Sequence, residues 1–291
     1  MAQARPIDHL VLCVADLDRA KAAYERLGFT ATPRAAHPWG TGNSLVQLQG
    51  NFIELLSVDD PAKIVPAALG HFSFGAFNDT FLRRREGFSM LVFASTNARA
   101  DQTAFTAAGL QTYAPFDFSR RARLPDGSEA TVSFSLAFAT HPVVPEATFF
   151  VCQQHAPQYF WKPEYQRHAN GAVAIAEVVM VADHPHDLAD FFGRLQGQGA
   201  ISSTSDALRI GAGAGAIAVV TSGAFAARFG GAHIAYAPSS PYLAGYRIQV
   251  ADLERCARAM DERGARYTRA DNRLLVMPSD AFNVAVEFVG G

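Results

Sequence analysis

The chain has 291 residues, of which 49% are apolar and 18% are charged, and its formal net charge is −2 at pH 7. This composition is that of a globular protein with enough apolar material for about two domains, and it excludes a disordered or fibrous chain. Twenty-five basic residues against twenty-seven acidic residues give no general attraction to nucleic acid or to an anionic membrane. We therefore expect a small-molecule partner.

The cysteines and the N-terminus indicate a reducing compartment. Cys13, Cys152 and Cys256 lie far apart and form no CxxC pair, which argues against a disulfide framework and against a thiolate metal site. Residues 1–6 lack the apolar core and cleavage pattern of a signal peptide. The uncharged run at 210–227 is mostly Gly and Ala, so it predicts a pair of small-residue strands rather than a membrane span. We expect a cytoplasmic protein.

The first 56 residues contain a strand, a helix and a closing strand that each carry a recognisable signal. The opening strand, from Ile7, is apolar except for His9 and its neighbour, and the closing strand around 52–56 carries Glu54 between apolar residues. The helix between them opens after Asp16, a good N-cap, and stops at Gly28. An ionisable group in each of two strands indicates a site. A unit this small buries little core alone, so a partner copy is expected.

Internal repetition extends this plan over the whole chain. The tripeptide Val-Ala-Asp ends an apolar strand and opens a helical pattern three times, at 14–16, 181–183 and 250–252. The last unit closes on a strand with its own glutamate, Glu287. The second unit, with strands at 90–94 and 148–152, is more diverged and contains a long excursion at 113–140. The sequence therefore predicts an α+β fold of four similar units.

These features resemble a known superfamily. The four-fold plan with His9 and Glu54 is similar to the vicinal oxygen chelate superfamily, which includes glyoxalase I, extradiol dioxygenases and bleomycin-resistance proteins. More narrowly, a set of motifs resembles the glyoxalase-like domain family: Asp8-His9-Leu10-Val11-Leu12, residues 37–46, Ile53-Glu54-Leu55, residues 154–157, 161–165 and 168–172. The resemblance implies four βαβββ modules in two paired domains, at 5–160 and 172–290, with the active cavity in the first and a structural or lid role for the second.

The resemblance also implies a divalent metal, Fe, Mn, Ni or Zn, held by the first and fourth strands of paired units. Carried over by position, His9 and Glu54 are ligands, whereas Met90 stands where the second unit would supply a histidine. His155, at the end of the closing strand of unit two, is the third expected ligand, and two imidazoles with one carboxylate suit ferrous iron. The residues alone allow another interpretation, in which His9 is a core histidine hydrogen-bonded to Glu54 and His155 is a loop residue.

Further residues are expected around the same cavity. His37 adjoins a Gly-rich turn and Trp39, and we expect it to act with Glu54 as an acid or a base. Trp39, Asn43 and Arg123 are expected to contact the substrate. Arg123 is expected to bind a carboxylate or phosphate group of that substrate. The alternative for the segment around His37 is a plain turn before a strand, and the alternative for the arginine cluster that includes Arg123 is a solvated basic face.

The function that these features predict is a metal-dependent enzyme acting on a small substrate with vicinal oxygens, by dioxygenase, isomerase or lyase chemistry. The alternative is a metal-free binding or sequestering protein of the bleomycin-resistance type. In the second pair, the repeat alignment puts Ala176 and Gly245 where His9 stands, so that pair is expected to serve structure or a homodimer surface. The sequence does not choose the substrate.

Overall fold

A computed structural model of the protein describes residues 4–123, 129–238 and 241–291, and within them it contains two mixed β-sheets. The strands are β1 (Ile7–Cys13), β2 (Ala35–Ala36), β3 (Thr41–Gln47), β4 (Phe52–Val58), β5 (Gly87–Ala94), β6 (Gln111–Thr112), β7 (Phe116–Arg123), β8 (Glu129–Thr140), β9 (Thr148–Gln154), β10 (Ala172–Val181), β11 (Ile201–Ser203), β12 (Ala207–Ala212), β13 (Gly215–Val220), β14 (Tyr242–Val250), β15 (Thr268–Ala270), β16 (Arg273–Val276) and β17 (Ala285–Gly290). The helices are α1 (Leu17–Arg26), α2 (Phe74–Leu82), α3 (Ala98–Ala107), α4 (Pro157–Phe160), α5 (Ala189–Gln196), α6 (Ser222–Arg228) and α7 (Leu253–Asp261).

Each sheet is built from two units that meet at their first strands. In the first sheet the order is β2-β3-β4-β1-β5-β9-β8-β6, with β7 paired to β8, and in the second it is β11-β12-β13-β10-β14-β17-β16-β15. The first and last strands of each unit pair in parallel, and the two units of a sheet join by an antiparallel contact, β1 with β5 and β10 with β14. The predicted α+β fold of four βαβββ modules in two pairs is therefore confirmed, with β7 and β8 forming a hairpin in the second unit.

The repeated aspartate begins the helix in two of the three units that carry it, whereas in the third unit the N-cap is His184, whose side chain makes no capping hydrogen bond. The side chain of Asp16 accepts a hydrogen bond of 2.9 Å from the backbone N–H of Arg19, and Asp252 accepts one of the same length from Arg255. Both residues are N-caps, because their carboxylates satisfy amides that the first helical turn leaves without a partner. The helix α1 then buries Leu17, Ala20, Ala23 and Tyr24.

The two faces of each sheet bury different apolar sets. One core contains the helices α1, α3, α5 and α7 together with one face of both sheets, and it includes a 3.1 Å hydrogen bond between the hydroxyls of Tyr246 and Tyr24 from the two halves. The opposite face of the first sheet packs with α2 and α4 around aromatic residues. The opposite face of the second sheet packs with α6. We call these two opposite faces the cavity face of the first half and of the second half.

The uncharged run at 210–227 is confirmed as strands. Its residues complete the antiparallel hairpin of β12 and β13 and enter α6. None of the helices in the described part of the chain has the length and the apolar character that a membrane crossing requires.

Candidate functional site

A cavity lies on the cavity face of the first half. Its polar lining residues are His9, His37, Asn43, Glu54 and Arg120. The aromatic residues of its wall are Trp39, Phe52, Phe74, Phe118, Phe134, Phe150 and Phe160. The centre of a water molecule can occupy a volume of about 50 Å³ in the cavity. In this conformation the cavity therefore has space for a ligand of few heavy atoms. An apolar pocket with a few converging polar groups is the usual form of a small-molecule site.

His9 is held in one orientation by its neighbour Asp8. Its Nδ1 lies 2.6 Å from Oδ1 of Asp8, and both residues are buried. Because a carboxylate can only accept, Nδ1 carries the hydrogen, and in the neutral imidazole Nε2 is left with a lone pair. The ring stacks on Phe52, with centroids 4.2 Å apart. A carboxylate behind a histidine commonly fixes its tautomer at metal and acid-base sites.

Glu54 faces this histidine with one oxygen and an amide with the other. Its Oε2 lies 3.8 Å from Nε2 of His9, and its Oε1 accepts a 2.6 Å hydrogen bond from Nδ2 of Asn43. Within the described ranges Oε2 accepts no hydrogen bond, although Glu54 is 6% exposed. Two acceptors therefore face each other across 3.8 Å, a distance too long for a direct hydrogen bond, and both are available to a donor group of a ligand.

His37 joins this group through the turn that sequence analysis singled out. Its Nε2 lies 3.8 Å from Oε1 of Glu54 and 3.4 Å from Nδ2 of Asn43, while its Nδ1 lies 2.8 Å from the hydroxyl of Thr41. Burial lowers the pKa of His37 below its ordinary value of 6.5, and Glu54 opposes this shift. The turn depends on Gly40, which has φ of +85° and whose added Cβ would lie 2.2 Å from a backbone oxygen. Because its pKa is lowered, His37 is a neutral imidazole at pH 7, and it lies beside the carboxylate of Glu54.

Trp39 and Asn43, both predicted to contact a substrate, also line the cavity. The indole of Trp39 stacks on His37 with ring centroids 4.7 Å apart. Its Nε1–H is buried and has no hydrogen-bond partner among the described residues. A buried donor without a partner is costly, so this N–H is available to a ligand oxygen.

Arg120 is the arginine that lines this cavity among the described residues. It follows Phe116 and Phe118 on the same side of β7, and it forms no hydrogen bond or ion pair with the residues that the structure describes. Burial lowers the pKa of Arg120, and the charge of Glu54 opposes that shift. The side chain of Arg123 lies outside the described residues. Alternation along the strand could have selected Arg120, because residues two apart share a face.

The structure does not bring His155 to His9 and Glu54. His155 is exposed, and its Nε2 lies 2.8 Å from the hydroxyl of Ser135. On β9 the residues of the cavity face are Phe150 and Cys152, whereas Val151 belongs to the opposite core. His155 is an odd number of residues from Cys152, and it follows the strand on the side that faces away from the cavity.

We tested whether the donor set fits the divalent metal that the resemblance implies. His9 Nε2 and Glu54 Oε2 are suitable donors, and Asp8 orients the histidine as a metal ligand requires. The strand registers, however, place Met90 and Phe150 of unit two where His9 and Glu54 stand in unit one. In the part of the chain that the structure describes, no group of three or more His, Cys, Asp or Glu side chains is arranged to hold a metal ion. Two facing donors do not fit a resident transition metal, which usually has three or four protein ligands.

The fold and this cavity define a class of protein, and comparison with known proteins gives the family. The model of the glyoxalase-like domain family matches residues 7–195, and the chain therefore belongs to that family. No curated protein sequence matches the chain significantly.

Solved structures share the complete two-pair architecture of the vicinal oxygen chelate fold. A hypothetical protein from Staphylococcus aureus superposes with a TM-score of 0.66 at 12% identity, covering 98% of this chain and 99% of that one. A triple mutant of 4-hydroxymandelate synthase from Streptomyces coelicolor gives 0.56 at 10% identity, covering 99% and 93%. 2,2',3-Trihydroxybiphenyl 1,2-dioxygenase from Sphingomonas wittichii gives 0.53 at 11% identity, covering 99% and 91%. These likenesses show the fold alone.

Proposed function

We propose that the cavity of the first half is the active site of an enzyme that moves a proton on a small anionic substrate with vicinal oxygens, such as a 2-oxo or 2-hydroxy acid. Glu54 is the base, and the reaction is of the isomerase or lyase type. The observation that carries the proposal is the buried carboxylate of Glu54, whose Oε2 accepts no hydrogen bond from the described residues and faces a cavity that also contains an unpaired arginine.

The surroundings of Glu54 suit a base. Asn43 donates to Oε1 and fixes the carboxylate, which leaves Oε2 directed at the cavity beside His9. Once Glu54 has taken a proton, the Nε2 lone pair of His9 can accept a hydrogen bond from it, because Asp8 holds the hydrogen of that ring on Nδ1. The neutral His37 can exchange a proton with the other side of the substrate.

Arg120 and Trp39 supply what the developing charge needs. A proton removed next to a carbonyl leaves negative charge on oxygen, and preorganised donors in a dry site stabilise such charge strongly. Arg120 offers a fixed cation, and the Nε1–H of Trp39 offers a donor without another partner among the described residues. The aromatic wall lowers the local dielectric constant, which strengthens these interactions.

The proposal takes no step through a metal. A divalent ion at this place would be held by His9 and Glu54 and would polarise substrate oxygens, but the donor set described above provides no third protein ligand. A dioxygenase reaction needs a redox-active metal with open positions, so the donor set favours proton transfer over ring cleavage. The structural neighbours that are dioxygenases by name share the fold with this chain, and their chemistry is not carried over.

Solvent deuterium exchange tests the proposal without knowledge of the net reaction. A panel of 2-oxo and 2-hydroxy acids is incubated with the protein in D₂O, and loss of the C–H signal next to the carbonyl is followed by proton NMR. We expect exchange with the wild type and a loss of about 10²- to 10⁴-fold in Glu54→Gln, the usual contribution of a general base. Glu25→Gln, which makes the same change at an exposed glutamate of α1 outside the cavity, is the control and should exchange at the wild-type rate.

The same samples distinguish the alternative functions. Saturable binding of an acid without exchange at any pH from 6 to 9 would replace the enzyme with a metal-free binding protein, for which the small aromatic cavity is the favouring observation. Elemental analysis before and after a chelator belongs to the same experiment. Exchange that disappears with the chelator and returns with Fe(II), Mn(II), Ni(II) or Zn(II) would overturn the metal-independent mechanism.

A further inference from the structure

A second and much larger cavity lies between the two halves. The centre of a water molecule can occupy a volume of about 640 Å³ in it, compared with about 50 Å³ in the cavity of the first half. Its walls are one side of α1, the turn that follows α2, and the loops at 233–236 and 277–283 of the second half. We call it the interdomain cleft.

The interdomain cleft is rich in arginine although the chain as a whole is slightly acidic. Its arginines are Arg19, Arg26, Arg83, Arg84, Arg85 and Arg266. Three of them are neutralised: Arg83 pairs with Asp79, Arg84 with Glu146 and Arg266 with Asp280. The other three have no carboxylate partner within residues 4–123, 129–238 and 241–291. Glu86, which also lines the cleft and forms no ion pair among the described residues, offsets one of these three charges, so the cleft retains an excess of two positive charges.

Arg85 is the most unusual of these residues because it is buried in the cleft wall. It is 6% exposed, and its Nε, Nη1 and Nη2 have no hydrogen-bond partner among the described residues. Its guanidinium carbon lies 4.6 Å from the ring centroid of Phe81 in the first half and 5.5 Å from that of Tyr242 in the second. Burial lowers the pKa of Arg85 to about 10, while Glu146 opposes the shift. A buried cation whose donors lack acceptors carries a desolvation cost, of which the rings of Phe81 and Tyr242 offset a part and the charge of an oxyanion in the cleft would offset more.

The wall opposite is preformed in a conformation that costs energy. Tyr236, Phe282 and Asn283 have φ of 55°, 58° and 63°, in the left-handed region that residues other than glycine rarely adopt. Asn283 holds the wall in place, since its side chain accepts from Ala235 N at 2.8 Å and donates to Ala235 O at 2.9 Å and Glu86 O at 3.1 Å. Strain of this kind persists where the surroundings fix it, and such places are often binding sites.

We propose that the interdomain cleft binds a small polyvalent oxyanion, a molecule that carries phosphate or carboxylate groups, through Arg19, Arg26 and Arg85. A guanidinium presents a planar fork of donors that matches both groups. The volume admits a ligand larger than any that the first cavity takes in this conformation. The proposal is independent of the proton-transfer function, because none of these three residues lines the cavity of Glu54.

Isothermal titration with inorganic pyrophosphate and with citrate tests the proposal and separates the phosphate from the carboxylate source. We expect saturable binding of one of them at constant ionic strength, with a dissociation constant at least tenfold weaker in Arg26→Gln and in Arg85→Gln. The matched control is Arg121→Gln, which removes an exposed arginine on β7 that pairs with Glu129. Glu54→Gln should bind the anion as the wild type does.

Two outcomes would overturn the proposal. The first is the absence of saturable heat for both anions up to 10 mM, a concentration about tenfold above the dissociation constant of a weak metabolite site. Alternatively, Arg26→Gln and Arg121→Gln could weaken binding equally, which is the result of general charge screening. Should Arg85→Gln fail to fold, Arg19→Gln takes its place, because Arg19 lies on the exposed side of α1.

Discussion

The cavity faces of the two halves occupy the same positions of the same fold and have opposite characters. In the first half, His9 and Glu54 stand beside a cavity. In the second half the strand registers put Glu177 at the position of His9, and Glu287 matches Glu54 in the fourth unit. Both of these carboxylates form ion pairs with arginines. The fold thus provides the position, and the neighbouring side chains decide whether the position can do chemistry.

The arginines that pair with Glu177 and Glu287 form one connected network. Glu287 is fully buried and accepts from Arg228 at 2.6 Å, Arg247 at 2.7 Å and Arg273 at 2.9 Å. Glu177 also contacts Arg228, at 2.6 Å. Burial by itself raises the pKa of Glu287, but the arginines outweigh it and lower the pKa to about 2. Glu54, by contrast, accepts one hydrogen bond from an amide, and its Oε2 accepts none from the described part of the chain, as the base that we propose requires.

The largest expected effect comes from removing the buried charge of the second half. Glu287→Gln leaves three arginines without their shared counter-charge, so we expect the free energy of unfolding to fall by about 3–5 kcal/mol. Glu54→Gln should cost about 1 kcal/mol or less, because the new amide oxygen can still accept from Asn43. Urea denaturation of both variants measures the difference. Equal losses in the two variants would mean that both glutamates serve structure.

Sequence analysis identified this pairing of glutamates, but it misplaced the histidine position of the third unit by one residue. The repeat alignment matched the tripeptide at 181–183 to that at 14–16 and so put Ala176 there, whereas the strand registers and the helix N-caps Asp16 and His184 place the units one residue further apart, which brings Glu177 to that position. Both units also have a register irregularity at this point, between Ile7 and His9 and between Ile175 and Glu177. A bulge inserts a residue and reverses the alternation of faces beyond it, and no propensity in the sequence marks it.

The site was predicted in part for similar reasons. His9, His37, Trp39, Asn43 and Glu54 meet in one cavity, as the motifs around them indicated. Their roles as ligand, acid or base stay predictions. Asp8 was missed because neighbours in a regular strand point to opposite faces, a rule that the bulge breaks. Arg120 and His155 were misjudged because the alternation along β7 and β9 was not applied beyond their apolar residues.

A moderate effect is expected at the cation of the first half. Arg120→Gln should weaken binding of a small 2-oxo acid about tenfold, since it removes a charge-assisted contact in a half-buried site. The indoles of Trp39 and Trp161 provide a fluorescence signal for the titration. Arg121→Gln is the matched control on the next residue of β7, where the arginine is exposed and pairs with Glu129. Similar affinities in the two variants would remove Arg120 from the site and would make the two halves more alike than the comparison states.

The smallest effect is expected at the junction of the halves, where His168 is buried. Its Nδ1 accepts a 2.9 Å hydrogen bond from Thr30 N, so the hydrogen is on Nε2, which donates to Gln47 O at 2.8 Å. Burial lowers the pKa of His168 below 6.5, and the bond to Gln47 opposes the shift. The unfolded chain therefore takes up this proton at a higher pH than the folded chain, and stability is lost as the pH falls below about 6.5.

The change that tests this junction is His168→Gln, which retains a donor toward Gln47 and cannot be protonated. We expect the free energy of unfolding between pH 6.5 and 5 to fall less steeply in the variant, by at most about 1.4 kcal/mol per pH unit for one proton. The dependence that remains includes His37, whose pKa is lowered in the same direction. Parallel slopes for the variant and the wild type would show that His168 takes its proton without loss of the junction. The acid sensitivity would then belong to the cavity of the first half, since the charge of Glu287 remains compensated by its arginines over this range.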